Sequence, residues 1–194
     1  FKTISPITSR DHWKGKFETI ADNIIDKISD IKSGDLLTLY ARELSAECLK
    51  LVTGLTNMTA TEMDRVSQGM IDGCSNYTGD SNIERYCNNC TESIDAHINE
   101  IIGKVNINTD FSLISTMLKG NLTADQISAN IKLAISGGQN EPRDAIAGCI
   151  WAALNFELKE LLLKKKNWDQ LFNEYCRWMS PIGCLLYTSD AADE

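Results

Sequence analysis

Apolar residues recur every three or four positions along almost the whole chain, and this period constrains the fold more than any other feature. The clearest stripe consists of Ile83, Cys87, Cys90, Ile94, Ile98, Ile101 and Val105. Such spacing places side chains on one face of an α-helix. No segment alternates apolar and polar residues for long enough to predict a strand. The sequence therefore predicts an all-α fold.

Start and stop signals divide this pattern into about eight helices joined by short loops. The spacing of a capping box occurs three times, at Thr59/Glu62, Ser81/Glu84 and Thr123/Gln126. Asp35, Asp110 and Asn167 are further candidates for N-cap residues. Gly137–Gly138 predicts a helix end, and one long helix is expected from Asn140 to Leu163. These elements predict a single helical domain, packed as an irregular bundle.

The overall charge and the length of the apolar runs exclude two classes of protein. The chain has 19 basic and 27 acidic residues, a net charge of −8. A nucleic-acid-binding protein needs the opposite balance, because it neutralises phosphates. No apolar run approaches the roughly 18 residues that cross a bilayer. We expect neither a nucleic-acid partner nor a membrane span.

The last eleven residues, Cys184–Glu194, differ from the rest of the chain. They follow neither a helical nor a strand period, and they resemble a translated sequencing adaptor. We therefore place the native domain in residues 1–183 and expect the natural protein to continue beyond Gly183. Without this tail, six of the seven cysteines remain.

The remaining cysteines and the glycosylation sequons indicate an oxidising compartment. The six cysteines are Cys48, Cys74, Cys87, Cys90, Cys149 and Cys176. Sequons at Asn57, Asn76 and Asn121 fall between helical patterns, where a glycan could lie on the surface. An even number of cysteines with sequons in loops is typical of secreted proteins. We therefore predict interhelical disulfides and an extracellular location; a cytosolic protein with reduced cysteines is the alternative.

A weak internal repeat suggests two similar helical hairpins, at residues 35–105 and 140–183. In each, a cysteine on one helix is followed by a Tyr–Cys pair on a later helix, Tyr86–Cys87 and Tyr175–Cys176. A disulfide within each hairpin would join Cys48 to Cys87 and Cys149 to Cys176, and would leave Cys74 for Cys90. Six cysteines allow fifteen connectivities, and the sequence alone does not select one.

The candidate reactive residues do not form a recognisable catalytic or metal-binding motif. Cys87 and Cys90 have CxxC spacing but lie inside a predicted helix, whereas a redox pair is expected at a helix N-terminus. Zinc needs four ligands, and His97 is the only further candidate nearby. His12 is the only other histidine, and no phosphate loop or nucleophile elbow is present. We expect no metal, no cofactor and no enzymatic activity.

A segment near the C-terminus, about a fifth of the chain, resembles a known family. Cys149–Ile150, the later Leu171–Phe172 and Tyr175–Cys176, and Ser180–Pro181 are similar to the opening of the insect 27 kDa haemolymph glycoproteins. The upstream segment from Cys48 to Cys87 resembles the same pattern more loosely. This resemblance implies a secreted helical glycoprotein of undefined activity.

Together these observations predict a secreted, N-glycosylated helical protein that binds a partner instead of catalysing a reaction. A small apolar ligand between helices, lined by Trp151, Phe156 and Trp178, is the leading expectation. The alternative is a structural or recognition ectodomain of a surface or viral glycoprotein, without a cavity. A hydrolase would need His12 or His97 beside both a nucleophile and a carboxylate.

Overall fold

The computed structural model describes residues 6–106, 111–165 and 167–179. Across these ranges the chain forms nine α-helices, one short π-helix and no strand, so the all-α prediction is confirmed. The α-helices are α1 Pro6–Ile28, α2 Arg42–Thr53, α3 Ala60–Cys74, α4 Ser81–Ile102, α5 Leu113–Lys119, α6 Ala124–Gly138, α7 Asn140–Asn155, α8 Lys159–Lys165 and α9 Trp168–Met179. The chain divides into two compact units, Phe1–Asn140 and Glu141–Glu194.

The first unit has a closed apolar core built mainly from isoleucine and methionine. α3 packs along α4, and both contact α6. The stripe predicted for α6 is confirmed, since Ile127, Ile131 and Ile135 are all completely buried. The α4 stripe is buried from Cys90 to Ile101, whereas its first residues are only partly covered. Burial of these faces against each other is what holds the helices together, since helix propensity alone is weak.

Two of the three predicted capping boxes begin helices as expected. The Thr123 hydroxyl accepts a hydrogen bond from the Gln126 backbone N–H, and the Gln126 side chain accepts one from Thr123 N. The Thr59 hydroxyl likewise accepts from Glu62 N. The Glu62 carboxylate, however, pairs with Arg65, so this second box is only half formed.

The third predicted box is wrong, because α4 begins one residue earlier than its spacing suggests. Asp80 is the N-cap, and its carboxylate accepts a hydrogen bond from Asn82 N. Aspartate and serine are equally good N-cap residues, so the sequence contains two adjacent candidates. The position of the loop before α4 makes Asp80 the N-cap. Asp35 accepts a hydrogen bond from Leu37 N, at the start of the π-helix Leu37–Ala41.

The second unit contains α7, α8 and α9, and the single helix predicted from Asn140 to Leu163 is wrong. α7 ends at Asn155, and Glu157 has a left-handed backbone with φ 55°. Leu158 N donates to Ala153 O, the long-range bond of a Schellman ending. Glycine usually marks such an ending, so a glutamate there left no signal in the sequence.

The six cysteines of the described residues are all free thiols. The structure therefore does not contain the expected interhelical disulfides, which stay a prediction. The expected adaptor-derived tail, residues 184–194, and Asp110 lie outside the described residues. The prediction that Asp110 caps α5 is wrong, because Ser112 is the N-cap and its hydroxyl accepts from Ser115 N. In the part of the chain that the structure describes, no helix combines the length and the apolar composition needed to cross a bilayer.

Candidate functional site: a buried polar cluster at the end of α6

The residue after α6, Gln139, is completely buried at the centre of a polar cluster. Its side-chain Nε2 donates to the carbonyl oxygen of Arg42 at 3.4 Å and to Asp64 Oδ1 at 3.2 Å. Ser45 Oγ donates to the Gln139 carbonyl oxygen at 2.6 Å. We call Arg42, Ser45, Asp64 and Gln139 the Gln139 cluster; it joins α2 and α3 to the end of α6.

The position of the cluster follows from how α6 ends. The last carbonyl groups of a helix have no partner within the helix. Ser67 Oγ donates to Ile135 O at 3.2 Å, and Ser45 supplies a donor one turn later. Close approach of α2 is possible because Gly138 has no side chain: a Cβ there would lie 2.9 Å from Leu49 Cδ1. Serines on neighbouring helices thus replace the missing helical donors.

Two buried acceptors at this point have no hydrogen-bond partner. They are Gln139 Oε1 and the next residue's Asn140 Oδ1. A buried polar atom left unpaired costs about 1–3 kcal/mol, and native proteins carry few of them. Each of the two oxygens can therefore accept one further hydrogen bond, for example from a buried water molecule. Among the described residues, no group of three histidine, cysteine or acidic side chains could hold a metal ion.

The helix end predicted at Gly137–Gly138 is confirmed, but Gln139 was not among the predicted site residues. A signal was present, because Gln139 follows Ile127, Ile131 and Ile135 in steps of four. That register places it on the buried face of α6, where an amide needs a polar partner. The partners themselves lie 75 to 97 positions away in the sequence, so no local pattern identifies them.

A second polar site is an open groove of about 450 Å³ in the first unit, beside Asn57. Asn57 Nδ2 donates to His97 O and to Glu100 Oε2, both at 3.1 Å, and Asn57 Oδ1 is buried without a partner. Hydrogen bonds from Lys104 and Asn57 lower the pKa of Glu100. The amide nitrogen that a glycan would use is thus already hydrogen-bonded.

The other two predicted glycosylation residues differ in their surroundings. Asn76 closes the loop between α3 and α4, since its Nδ2 donates to Asp80 O and its Oδ1 accepts from Asp80 N, both at 2.9 Å. Asn121 is exposed, in a left-handed turn with φ 56°. Asn121 is therefore the more accessible acceptor of the two.

The predicted ligand-lining residues Trp151, Phe156 and Trp178 do come together in the second unit. Trp151 and Trp178 stack with ring centroids 6.4 Å apart, and Phe156 lies edge-on to both at 6.0 Å. About half of each side chain is exposed. We call these three residues the aromatic patch; in the described structure they form a surface, not an enclosed cavity.

The cysteines fall into neighbouring pairs and separate residues. A negative charge on Cys74 would raise the pKa of Cys87 across α3 and α4, and one on Cys176 would raise that of Cys149 across α7 and α9. Burial is the main cause that raises the pKa of Cys87 and of Cys149. Burial also raises the pKa of Cys48 to about 12. A raised pKa lowers the fraction of thiolate at Cys48, Cys87 and Cys149 near neutral pH.

His97, one of the two residues that a hydrolase would need, is not arranged as a catalytic base. Its Nδ1 is buried and has no hydrogen-bond partner. In a catalytic triad this atom donates to a carboxylate that orients the ring. His12 Nε2 lies 3.0 Å from Lys16 Nζ, and its ring packs against Trp13 and Phe111. The geometry at His97 therefore lacks the orienting partner of a triad.

Comparison with known proteins identifies a similar fold but no family. No protein-family model matches the sequence. Among solved structures, the fold is similar to a chain in the crystal structure of P450BioI in complex with an acyl carrier protein ligated to hexadec-9Z-enoic acid. The TM-score is 0.74 and the identity 17%, over 90% of this chain and 46% of the other. This chain therefore spans about half the length of the matched one, and the likeness establishes the fold alone.

Proposed function

We propose that this chain is the helical part of a P450-type haem protein that oxidises an apolar, chain-like substrate. The observation that supports the proposal is the similarity of fold, which extends over 90% of the chain with a TM-score of 0.74. The proposal departs from the expectation of a binding protein without catalysis. It keeps the expected ligand class, a small apolar molecule held among helices.

The matched structure suggests the chemical class of the substrate. It contains hexadec-9Z-enoic acid carried by an acyl carrier protein. A long hydrocarbon chain with one carboxyl group needs a mostly apolar site with few polar groups to fix its orientation. We propose a fatty acyl chain as the substrate class, with the free acid and the carrier-bound form as alternatives for experiment.

The described residues do not fit the ligand set of the haem. In P450 proteins a cysteine thiolate binds the haem iron. No cysteine lines the Asn57 groove or the two shallow grooves beside Asp95 and Asn88. In this proposal the cysteine that binds the haem iron therefore lies outside the described residues.

The test is a spectrum of the longer natural protein. The coding sequence on both sides of residues 1–183 would be recovered, and the complete chain expressed with a haem precursor. We expect a carbon monoxide difference spectrum of the thiolate-ligated type, and a spectral change when hexadec-9-enoic acid is added. The 194-residue chain is the matched control and should give no such spectrum. A complete chain that binds no haem would refute the proposal.

A second candidate is the secreted glycoprotein predicted from the sequence. The exposed position of Asn121 in a turn favours it, because a glycan there would meet no buried side chain. Mass spectrometry of the protein from its natural source would detect a glycan on the peptide that contains Asn121. An unmodified Asn121 together with bound haem would exclude this candidate in favour of the first.

A further inference from the structure

α3 and α4 form an antiparallel pair, and the backbone of α3 lies directly against Cys87 and Cys90 of α4. A Cβ at Gly73 would overlap Cys87 Sγ, and a Cβ at Gly69 would overlap Cys90 Sγ. Only glycine leaves room for this approach. Cys74 is the next residue after Gly73 and the last of α3. It therefore lies beside the point where α3 touches Cys87.

The two thiols at this point differ in accessibility in a way that suits stepwise oxidation. Cys74 is exposed and Cys87 is partly buried. Cys74 directly follows Gly73, whose backbone lies against Cys87 Sγ, and burial raises the pKa of Cys87. A reagent in solution reaches Cys74 first, and Cys87 is the nearby thiol that can complete a bond.

The neighbouring cysteines have other surroundings. Cys90 is completely buried against Gly69, and Arg65 Nη1 donates to Cys90 Sγ at 3.3 Å; burial raises the pKa of Cys90, and Cys87 contributes to the rise. Cys48 lies on α2, and the charge that acts on its thiol is that of Glu47. The arrangement thus differs from the sequence-based pairing, which joined Cys87 to Cys48 and Cys74 to Cys90.

We propose that Cys74 and Cys87 form a reversible disulfide between α3 and α4 when the protein meets a low-molecular-weight disulfide such as oxidised glutathione. The Cys74 thiolate attacks one glutathione sulfur, one reduced glutathione leaves, and a mixed disulfide remains on Cys74. The Cys87 thiolate then attacks the Cys74 sulfur and releases the second glutathione. The protein loses two protons and two electrons, which convert one glutathione disulfide into two thiols.

The bond would act as a redox-dependent clamp on one end of the first unit. It closes the loop of residues 75–86 and fixes the C-terminal end of α3 to the second turn of α4. The loop contains Asn76, whose side chain already bridges to Asp80. This inference stands on the α3–α4 geometry and does not depend on the proposed haem protein.

Peptide mapping of the 194-residue chain tests the proposal. The reduced protein is equilibrated with reduced and oxidised glutathione, remaining thiols are blocked with N-ethylmaleimide, and the chain is digested with trypsin. Cleavage after Arg65, Arg85 and Lys104 places Cys74 in peptide 66–85, and Cys87 and Cys90 in peptide 86–104. We expect these two peptides to be joined, and to separate after reduction.

Matched serine variants identify the sulfur in the second peptide. Cys90→Ser should keep the joined peptides, whereas Cys87→Ser should reduce them at least tenfold. Circular dichroism checks that each variant is folded, and Cys87→Ala serves if the serine does not fold. Absence of joined peptides in the unchanged protein, or their loss in Cys90→Ser, would overturn the proposal.

Discussion

The two units bury their apolar residues to different extents. In the first unit, α3, α4 and α6 cover one another, and side chains such as Ile94 and Ile131 are completely buried. In the second unit, no residue described in α9 is buried, and Trp168, Phe172 and Trp178 are each about half exposed. Apolar surface of this kind usually marks a place where another surface binds. Similar amphipathic helices thus form a closed core in one unit and an uncovered face in the other.

The largest expected loss of stability comes from a substitution that opens a cavity in the core of the first unit. Ile94→Ala should reduce the free energy of unfolding by about 3 kcal/mol, because the removed atoms leave an unfilled space in a packed core. Urea denaturation measures the change. Leu133→Ala on α6 is the control: Leu133 is 72% exposed, and a surface substitution is expected to change stability by less than about 0.5 kcal/mol. Equal losses in the two variants would contradict the closed core.

A substitution in the Gln139 cluster should give the next largest loss of stability. Gln139→Ala removes the donor to Arg42 O and Asp64 Oδ1, so stability should fall by about 2 kcal/mol. Gln68→Ala, which removes an exposed hydrogen bond to Asp72, is the matched control and should cost far less. A neutral Gln139→Ala would mean that the unpartnered Gln139 Oε1 costs as much as the two hydrogen bonds from Gln139 Nε2 contribute.

A smaller effect is expected from the aromatic patch. Trp178→Ala should destabilise the second unit by about 1 kcal/mol, since it removes contacts to two rings that are already half exposed. Near-ultraviolet circular dichroism follows the ring packing directly. A loss of stability as large as that of Ile94→Ala would show that the aromatic patch is a packed core. The two units would then not differ in how well they bury their apolar residues.

The smallest effect is a pH dependence at Glu62 in the first unit. Hydrogen bonds from Arg65 lower the pKa of Glu62 from its ordinary value of 4.5; burial opposes this shift, and Ser93 adds to it. A carboxyl with a lowered pKa in the folded state contributes stability above pH 4.5, and this is lost as the pH falls through the folded value. Glu62→Gln should therefore flatten the fall in the free energy of unfolding on the acid side. The total change should be less than about 1 kcal/mol.

Denaturation at several pH values from 7 downward measures that slope. Glu92→Gln, on the exposed surface of α4, is the control and should leave it unchanged. A steeper fall in stability in Glu62→Gln would show that folding does not lower the pKa of Glu62.

The features predicted correctly from the sequence are those that depend on residues within one or two turns. The α6 stripe and the Thr123 capping box are examples, because their spacing and their hydrogen bonds lie within a single helix. The failures at Ser81 and Glu157 are also local. At Ser81 two adjacent residues could both cap the helix, and at Glu157 a residue without a turn preference adopted a left-handed backbone.

The sequence by itself determined that this chain is helical, where most helices begin and which faces are apolar, because these properties follow from helical period and from capping chemistry. Only the tertiary structure decided which faces are covered, which thiols are neighbours and which partners surround Gln139. Those contacts join residues far apart in the chain, such as Ser45 and Gln139. They depend on how helices pack, and no short stretch of sequence encodes that packing.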